Sequence, residues 1–107
     1  MNKPILFLMA TDFFLLESLE SDLQRRFGNE CRIISEHSPA SGLARLRVLS
    51  TRGEPVALMI ADHRMPEMTG VAFLRVLRAR WPDTIRLLFT AYADIKAVID
   101  SINQGSV

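Results

Sequence analysis

The residues able to do chemistry stand where two apolar runs stop. Leu58-Met59-Ile60-Ala61 ends in Asp62, followed by His-Arg-Met-Pro-Glu-Met-Thr-Gly up to Gly70, and the run from Ile85 to Phe89 ends in Thr90. A short apolar run stopped by a polar residue and a turn reads as a buried strand, most often a parallel one. Asp62 and Thr90 would then lie side by side at the C-terminal ends of neighbouring strands, where open parallel sheets carry ligands and chemistry. A carboxylate beside a hydroxyl suits a covalent intermediate, because the new anionic oxygens need a donor. A plainer reading stands next to it. Aspartate at a strand end commonly serves a turn or a helix cap, and threonine is an ordinary strand terminator. Arg64 suits an anion or plain solvation. His63 has no partner placed to make it a base.

The elements that must position these residues alternate along the chain. Ile5 to Met9 is apolar at every position, as expected of a central parallel strand buried on both faces. Asp12 suits the cap of a helix running to Phe27, with Leu16, Leu19, Leu23 and Phe27 on one face and Gly28 just past its end. Cys31 to Ser35 is a short strand. Ser38 caps a helix from Pro39 to Leu49, with Leu43 and Leu46 inward. After Asp62, Pro66 fixes the backbone of the loop and Gly70 opens a helix that buries Phe73, Leu74 and Leu77 and turns Arg75 and Arg78 to water. Trp81-Pro82 stops it, since the residue before proline disfavours helical backbone. Beyond Thr90, the Ala91-Tyr92-Ala93-Asp94 loop leads into a helix capped by Asp94, apolar at Ile95, Val98, Ile99 and Ile102 and ended by Gly105. The order β-α-β-α-β-α-β-α requires right-handed crossovers and a doubly wound parallel sheet with helices on both faces.

Composition sets the bounds. A chain of 107 residues is one small domain with a single core. A net charge of +1 gives no nucleic-acid footprint, and no apolar run approaches the roughly 20 residues that span a bilayer. The lone Cys31 excludes an internal disulfide and fits a reducing cytoplasm. His37 and His63 have no partners at zinc-ligand spacing.

Asp62-x-Arg64-Met65-Pro66-x-Met68-x-Gly70, followed by Phe73-Leu74, resembles the phosphoacceptor strand and loop of response-regulator receiver domains. Leu87-Leu88-Phe89-Thr90-Ala91 and the segment from Asp94 to Gly105 are similar to the family's fourth strand and helix. The resemblance implies a flavodoxin-like α/β fold, with strand order 2-1-3-4 out of the family's 2-1-3-4-5. It implies Asp62 as the residue phosphorylated by a histidine kinase or phosphotransfer protein, and Thr90 as the phosphoryl-binding hydroxyl. Mg²⁺ would bridge the phosphoryl group, held by Asp62 and the backbone carbonyl of Arg64.

Two departures qualify that picture. The family's first strand usually ends in an acidic pair that holds the metal. Ungapped matching puts Ala10-Thr11 at that pair, with Asp12 directly after it, and a one-residue shift would bring Asp12 into the metal site. Loss of carboxylates should weaken binding of a hard dication. The family also continues into a fifth strand, a lysine and a fifth helix, all of which would follow Val107.

Three functions therefore compete. One is a phosphorylation switch that regulates a downstream partner or output domain, with weakened metal dependence. Another is a phosphorylation-independent pseudo-receiver that serves interaction or dimerisation. The third is an enzyme with Asp62 as nucleophile, which lacks the second acid such chemistry needs. The regulatory receiver ranks first and the enzyme last. An uncovered apolar strand edge at Ile85 to Phe89 invites association, so a homodimer through residues 85–103 is expected.

Overall fold

The computed structural model describes residues 3–90 and 95–104. Four β-α units follow one another: β1 (Ile5–Met9), α1 (Phe13–Phe27), β2 (Arg32–Glu36), α2 (Pro39–Thr51), β3 (Val56–Asp62), α3 (Gly70–Arg80), β4 (Ile85–Phe89) and α4 (Ile95–Gln104). The strands form one parallel sheet in the order β2-β1-β3-β4. This is the α/β receiver arrangement with four β-α units, as the resemblance implies.

β1 lies in the interior because all five of its side chains can be buried, and all five are. Its pleat divides the core. Ile5, Phe7 and Met9 join Met59, Ala61, Phe73, Leu74 and Leu77 beneath α2 and α3. Leu8 and Ala10 pack instead with Leu16 of α1, against Leu15, Leu19, Leu23 and Ile60. Helices therefore cover both faces. Phe7, Met59, Phe73 and Leu77 are inaccessible to solvent, and side chains of this size each stabilise by roughly 1.5–3 kcal/mol when fully buried.

The helices start where their caps dictate. The Asp12 carboxylate accepts from Leu15 N–H at 3.1 Å, the Ser38 hydroxyl from Ser41 N–H at 3.1 Å, and the Thr69 hydroxyl from Ala72 N–H at 3.2 Å. Gly53 takes φ 68° in the turn after α2, the left-handed region that glycine adopts without strain. The buried Thr84 hydroxyl donates to the Val56 carbonyl at 2.8 Å and ties the start of β4 to the start of β3.

Several details differ from the sequence expectation. β2 begins one residue later than Cys31 and includes Glu36, because its pairing with β1 runs to Met9↔Glu36. α2 continues two residues past Leu49, to Thr51. Phe27, expected on the inner face of α1, is 40% exposed. Arg75, expected in water, is half-buried, whereas Arg78 is exposed as expected. α4 buries Val98 but leaves Ile95, Ile99 and Ile102 exposed, so the periodic apolar face is only partly covered. The loop of Ala91 to Asp94, the Asp94 cap and the Gly105 stop lie outside the described residues.

Candidate functional site

β3 carries Asp62 to the C-terminal edge of the sheet. The register sets Asp62 opposite Phe89, so Thr90, one residue further on, follows the neighbouring strand at the same edge. Both residues are half-buried. This is the juxtaposition expected from the two interrupted apolar runs, and it follows from parallel pairing alone.

The loop after Asp62 is fixed largely by backbone. His63 N–H donates to the Phe89 carbonyl at 2.8 Å and extends the β3–β4 ladder by one residue. Gly70 N–H donates to the His63 carbonyl at 2.9 Å, which closes the loop at the foot of α3. That closure requires glycine. A Cβ on Gly70 would lie 2.6 Å from Leu88 Cδ1 and would also collide with the carbonyl oxygen of Asp62. Met65 is buried in the core and anchors the loop from below, while Pro66 is exposed.

Around the carboxylate, Arg64 N–H donates to Asp62 Oδ1 at 3.4 Å, and Thr11 Oγ1 donates to the Arg64 carbonyl at 3.3 Å. Both bonds are long, so each belongs at or below the low end of the ~0.5–1.5 kcal/mol typical of a hydrogen bond. Together they link the end of β1 to the acceptor loop through a single residue. An open cleft at this edge is lined by Thr11, His63, Arg64, Met65, Pro66 and Thr69. The Nδ1 of His63 is buried with no hydrogen-bond partner among the described residues, so nothing there orients the ring as a general base would need.

Two of the three sequence-predicted metal ligands, Asp62 and Arg64, share one loop, where Arg64 N–H donates to Asp62 Oδ1. Asp62 offers a carboxylate, but the Arg64 carbonyl is engaged by Thr11 and Ala10 has no donor atom. Asp12 is exposed and its Oδ1 caps α1 through Leu15 N–H. Among the described residues, no three His, Cys, Asp or Glu side chains gather in a group able to hold a metal ion. Mg²⁺ demands near-octahedral oxygen ligation, commonly with one or two carboxylates. The donor set here does not fit the ion as a receiver ordinarily holds it.

Thr69 is not singled out by the sequence reading, and Thr11 enters it only at the position of the acidic pair, yet each carries a local signal. Thr69, directly before the helix-opening Gly70, is a standard N-cap type. Thr11, at the end of an apolar strand, carries a donor hydroxyl that a carboxylate in its place would lack.

The family model for the response regulator receiver domain matches residues 17–107, and the chain belongs to that family. It is therefore a receiver domain of two-component signalling. Receiver domains typically bind Mg²⁺. The matched region opens within α1, so Ala10, Thr11 and Asp12 precede it. Among curated proteins, the hydrogenase transcriptional regulatory protein HoxA of Cupriavidus necator is 33% identical over 85 residues, spanning 79% of this chain and 17% of HoxA. The sensor kinase CckA of Brucella abortus is 36% identical over 58 residues, 54% of this chain and 6% of CckA. The chain thus spans less than a fifth of the length of HoxA. Among solved structures, an uncharacterized protein from Neptuniibacter caesariensis superposes with TM-score 0.81 and 34% identity, over 100% of this chain and 74% of that one. The BeF₃-activated DrrB receiver domain gives TM-score 0.72 at 17% identity, over 94% and 77% of the two chains, a likeness of fold. No helix among the described residues is long and apolar enough to cross a membrane.

Proposed function

We propose that this domain is the phosphoacceptor switch of a regulatory protein. Asp62 takes a phosphoryl group from the phosphohistidine of a histidine kinase or phosphotransfer protein, and the modified loop changes how a downstream partner or output domain is engaged. A carboxylate oxygen of Asp62 attacks phosphorus, the N–P bond breaks, and the donor imidazole leaves with its electron pair and is protonated. Thr90 donates its hydroxyl to an oxygen of the new acyl phosphate, which stabilises the added charge. No step here passes through a metal ion.

The observation that carries this reading is the half-buried Asp62 at the end of β3, one register step from Thr90 at the same sheet edge. The match of HoxA, a transcriptional regulatory protein, supports an output in gene control. A cytoplasmic location follows from a kinase partner and agrees with a single unpaired cysteine. The exposed apolar side chains Ile85, Leu87, Phe89, Ile95, Ile99 and Ile102 support self-association through residues 85–103. Light scattering over a dilution series tests that contact, and a monomer at every concentration rejects it.

Acetyl phosphate with and without Mg²⁺, followed by intact mass, tests the acceptor. The unmodified protein should gain the mass of one phosphoryl group and Asp62→Asn should not. A specific observation favours a second reading, a pseudo-receiver that works without phosphorylation: the Thr11–Arg64 tie already holds the loop. Absence of the mass gain under every donor tried would select that reading.

A further inference from the structure

The resemblance sets Ala10-Thr11, at the end of β1, where a receiver's acidic pair would stand, and there the structure shows a contact that a carboxylate could not make. Thr11 directs its hydroxyl at the Arg64 carbonyl, 3.3 Å away. A carboxylate and a carbonyl are both acceptors, so facing each other they repel and require a cation between them. A hydroxyl and a carbonyl close directly. The carbonyl in question is the one the resemblance assigns to Mg²⁺, and the same residue's N–H reaches the Asp62 carboxylate at 3.4 Å.

We infer that Thr11 is a positioning residue that stands in for the cation: its hydroxyl, acting through Arg64, sets the acceptor loop without Mg²⁺. The rest of the site agrees. The Ala10 side chain offers no ligand atom, the Asp12 carboxylate caps α1 through Oδ1, and the described residues lining the cleft beside the loop include no carboxylate. The backbone anchors at His63 and Gly70 restrain the two sides of Arg64, and the Thr11 bond adds a tie from the end of β1. The inference deepens the reading above and rests on it only in taking Asp62 as the acceptor. The loop measurements that test it involve no phosphorylation.

The 107-residue chain, its Thr11→Val, Thr11→Ser and Thr11→Asp variants are compared by amide hydrogen exchange over residues 62–70 and by melting temperature, each with and without millimolar Mg²⁺. In the unmodified protein and in Thr11→Ser, which keeps the hydroxyl, the loop should exchange slowly and ignore Mg²⁺. Thr11→Val, matched in shape, should exchange about twofold faster, the low end of what one lost hydrogen bond supports, as suits a bond 3.3 Å long. Thr11→Asp should be loose without Mg²⁺ and both slower-exchanging and higher-melting with it. A merely structural threonine would not produce the serine rescue or a new response to the ion. Slower loop exchange on adding Mg²⁺ to the unmodified protein overturns the inference, as does a Thr11→Val loop indistinguishable from the unmodified one. If Thr11→Val does not fold, the Mg²⁺ responses of the unmodified protein and of Thr11→Asp still decide. A protein that passes these tests but never accepts phosphate leaves the tie standing and rejects Asp62 as acceptor. The reverse pair of results rejects the tie alone.

Discussion

Gly70→Ala probes the link between α3 and the acceptor. The added methyl would sit 2.6 Å from Leu88 Cδ1 and would also run into the Asp62 carbonyl oxygen, a backbone atom that cannot swing aside. Extra carbon forced into a packed site costs typically ~1–3 kcal/mol. Alanine in place of glycine inside a helix returns roughly 0.5–1 kcal/mol, and less at the first helical position. The balance is a loss of about 1–2 kcal/mol, or a melting temperature lower by about 4–15 °C for a domain of this size. Two comparisons separate crowding from other glycine effects. At Gly42 a Cβ would meet chiefly the end of the flexible Met9 side chain, which can move, so Gly42→Ala should lose less. At Gly53 no atom lies within 4 Å and only the φ of 68° is strained, so Gly53→Asn should lose less than Gly53→Ala. Urea denaturation of all four variants gives the ranking. A Gly70→Ala protein as stable as the unmodified chain, or more so, would refute the close approach of α3 to Asp62.

Further expectations concern the capping, tying and surface residues. Thr84→Val removes the 2.8 Å bond to the Val56 carbonyl and leaves that oxygen buried, so it should cost about 1–3 kcal/mol in urea denaturation, with Thr84→Ser recovering most of the loss. Asp12→Ala should cost about 1 kcal/mol through the orphaned Leu15 N–H. Because that carboxylate serves the helix, calorimetry should show the same weak Mg²⁺ response before and after the change. Ile99→Lys, at a side chain 50% exposed, should leave stability within about 0.5 kcal/mol while reducing any association seen by light scattering.

What the sequence made legible, and what it did not, divides on the range of the interaction. The apolar run at Ile5 to Met9 announced a parallel strand buried on both faces, and that at Leu58 to Ala61 a parallel strand that buries Met59 and Ala61 on one face and only partly covers Leu58 and Ile60 on the other. The same logic put Asp62 and Thr90 at one edge, since a polar stop after such a run must fall where the sheet ends. Asp12 and Ser38 were readable as caps because capping is local. β4 was harder. Its run Ile85-Arg86-Leu87-Leu88-Phe89 looks uniformly apolar apart from Arg86, yet Ile85, Leu87 and Phe89, which share one face of the strand, are exposed while Leu88 on the other face packs on the core. Least legible was the tie from Thr11 to Arg64. It joins residues 53 apart in sequence, and no local pattern reports on which carbonyl a strand-end hydroxyl will meet.

The central claim is that Asp62 is the phosphoacceptor at this sheet edge. The most direct measurement is chemical trapping: the protein is treated with a small phosphodonor, the acyl phosphate is reduced with borohydride, and the peptides are sequenced by mass spectrometry. The account predicts conversion of Asp62 to homoserine within the 57–74 segment, with Asp12, Asp22, Asp83, Asp94 and Asp100 unchanged. Conversion at another aspartate, or none in a protein shown to be folded, would contradict it.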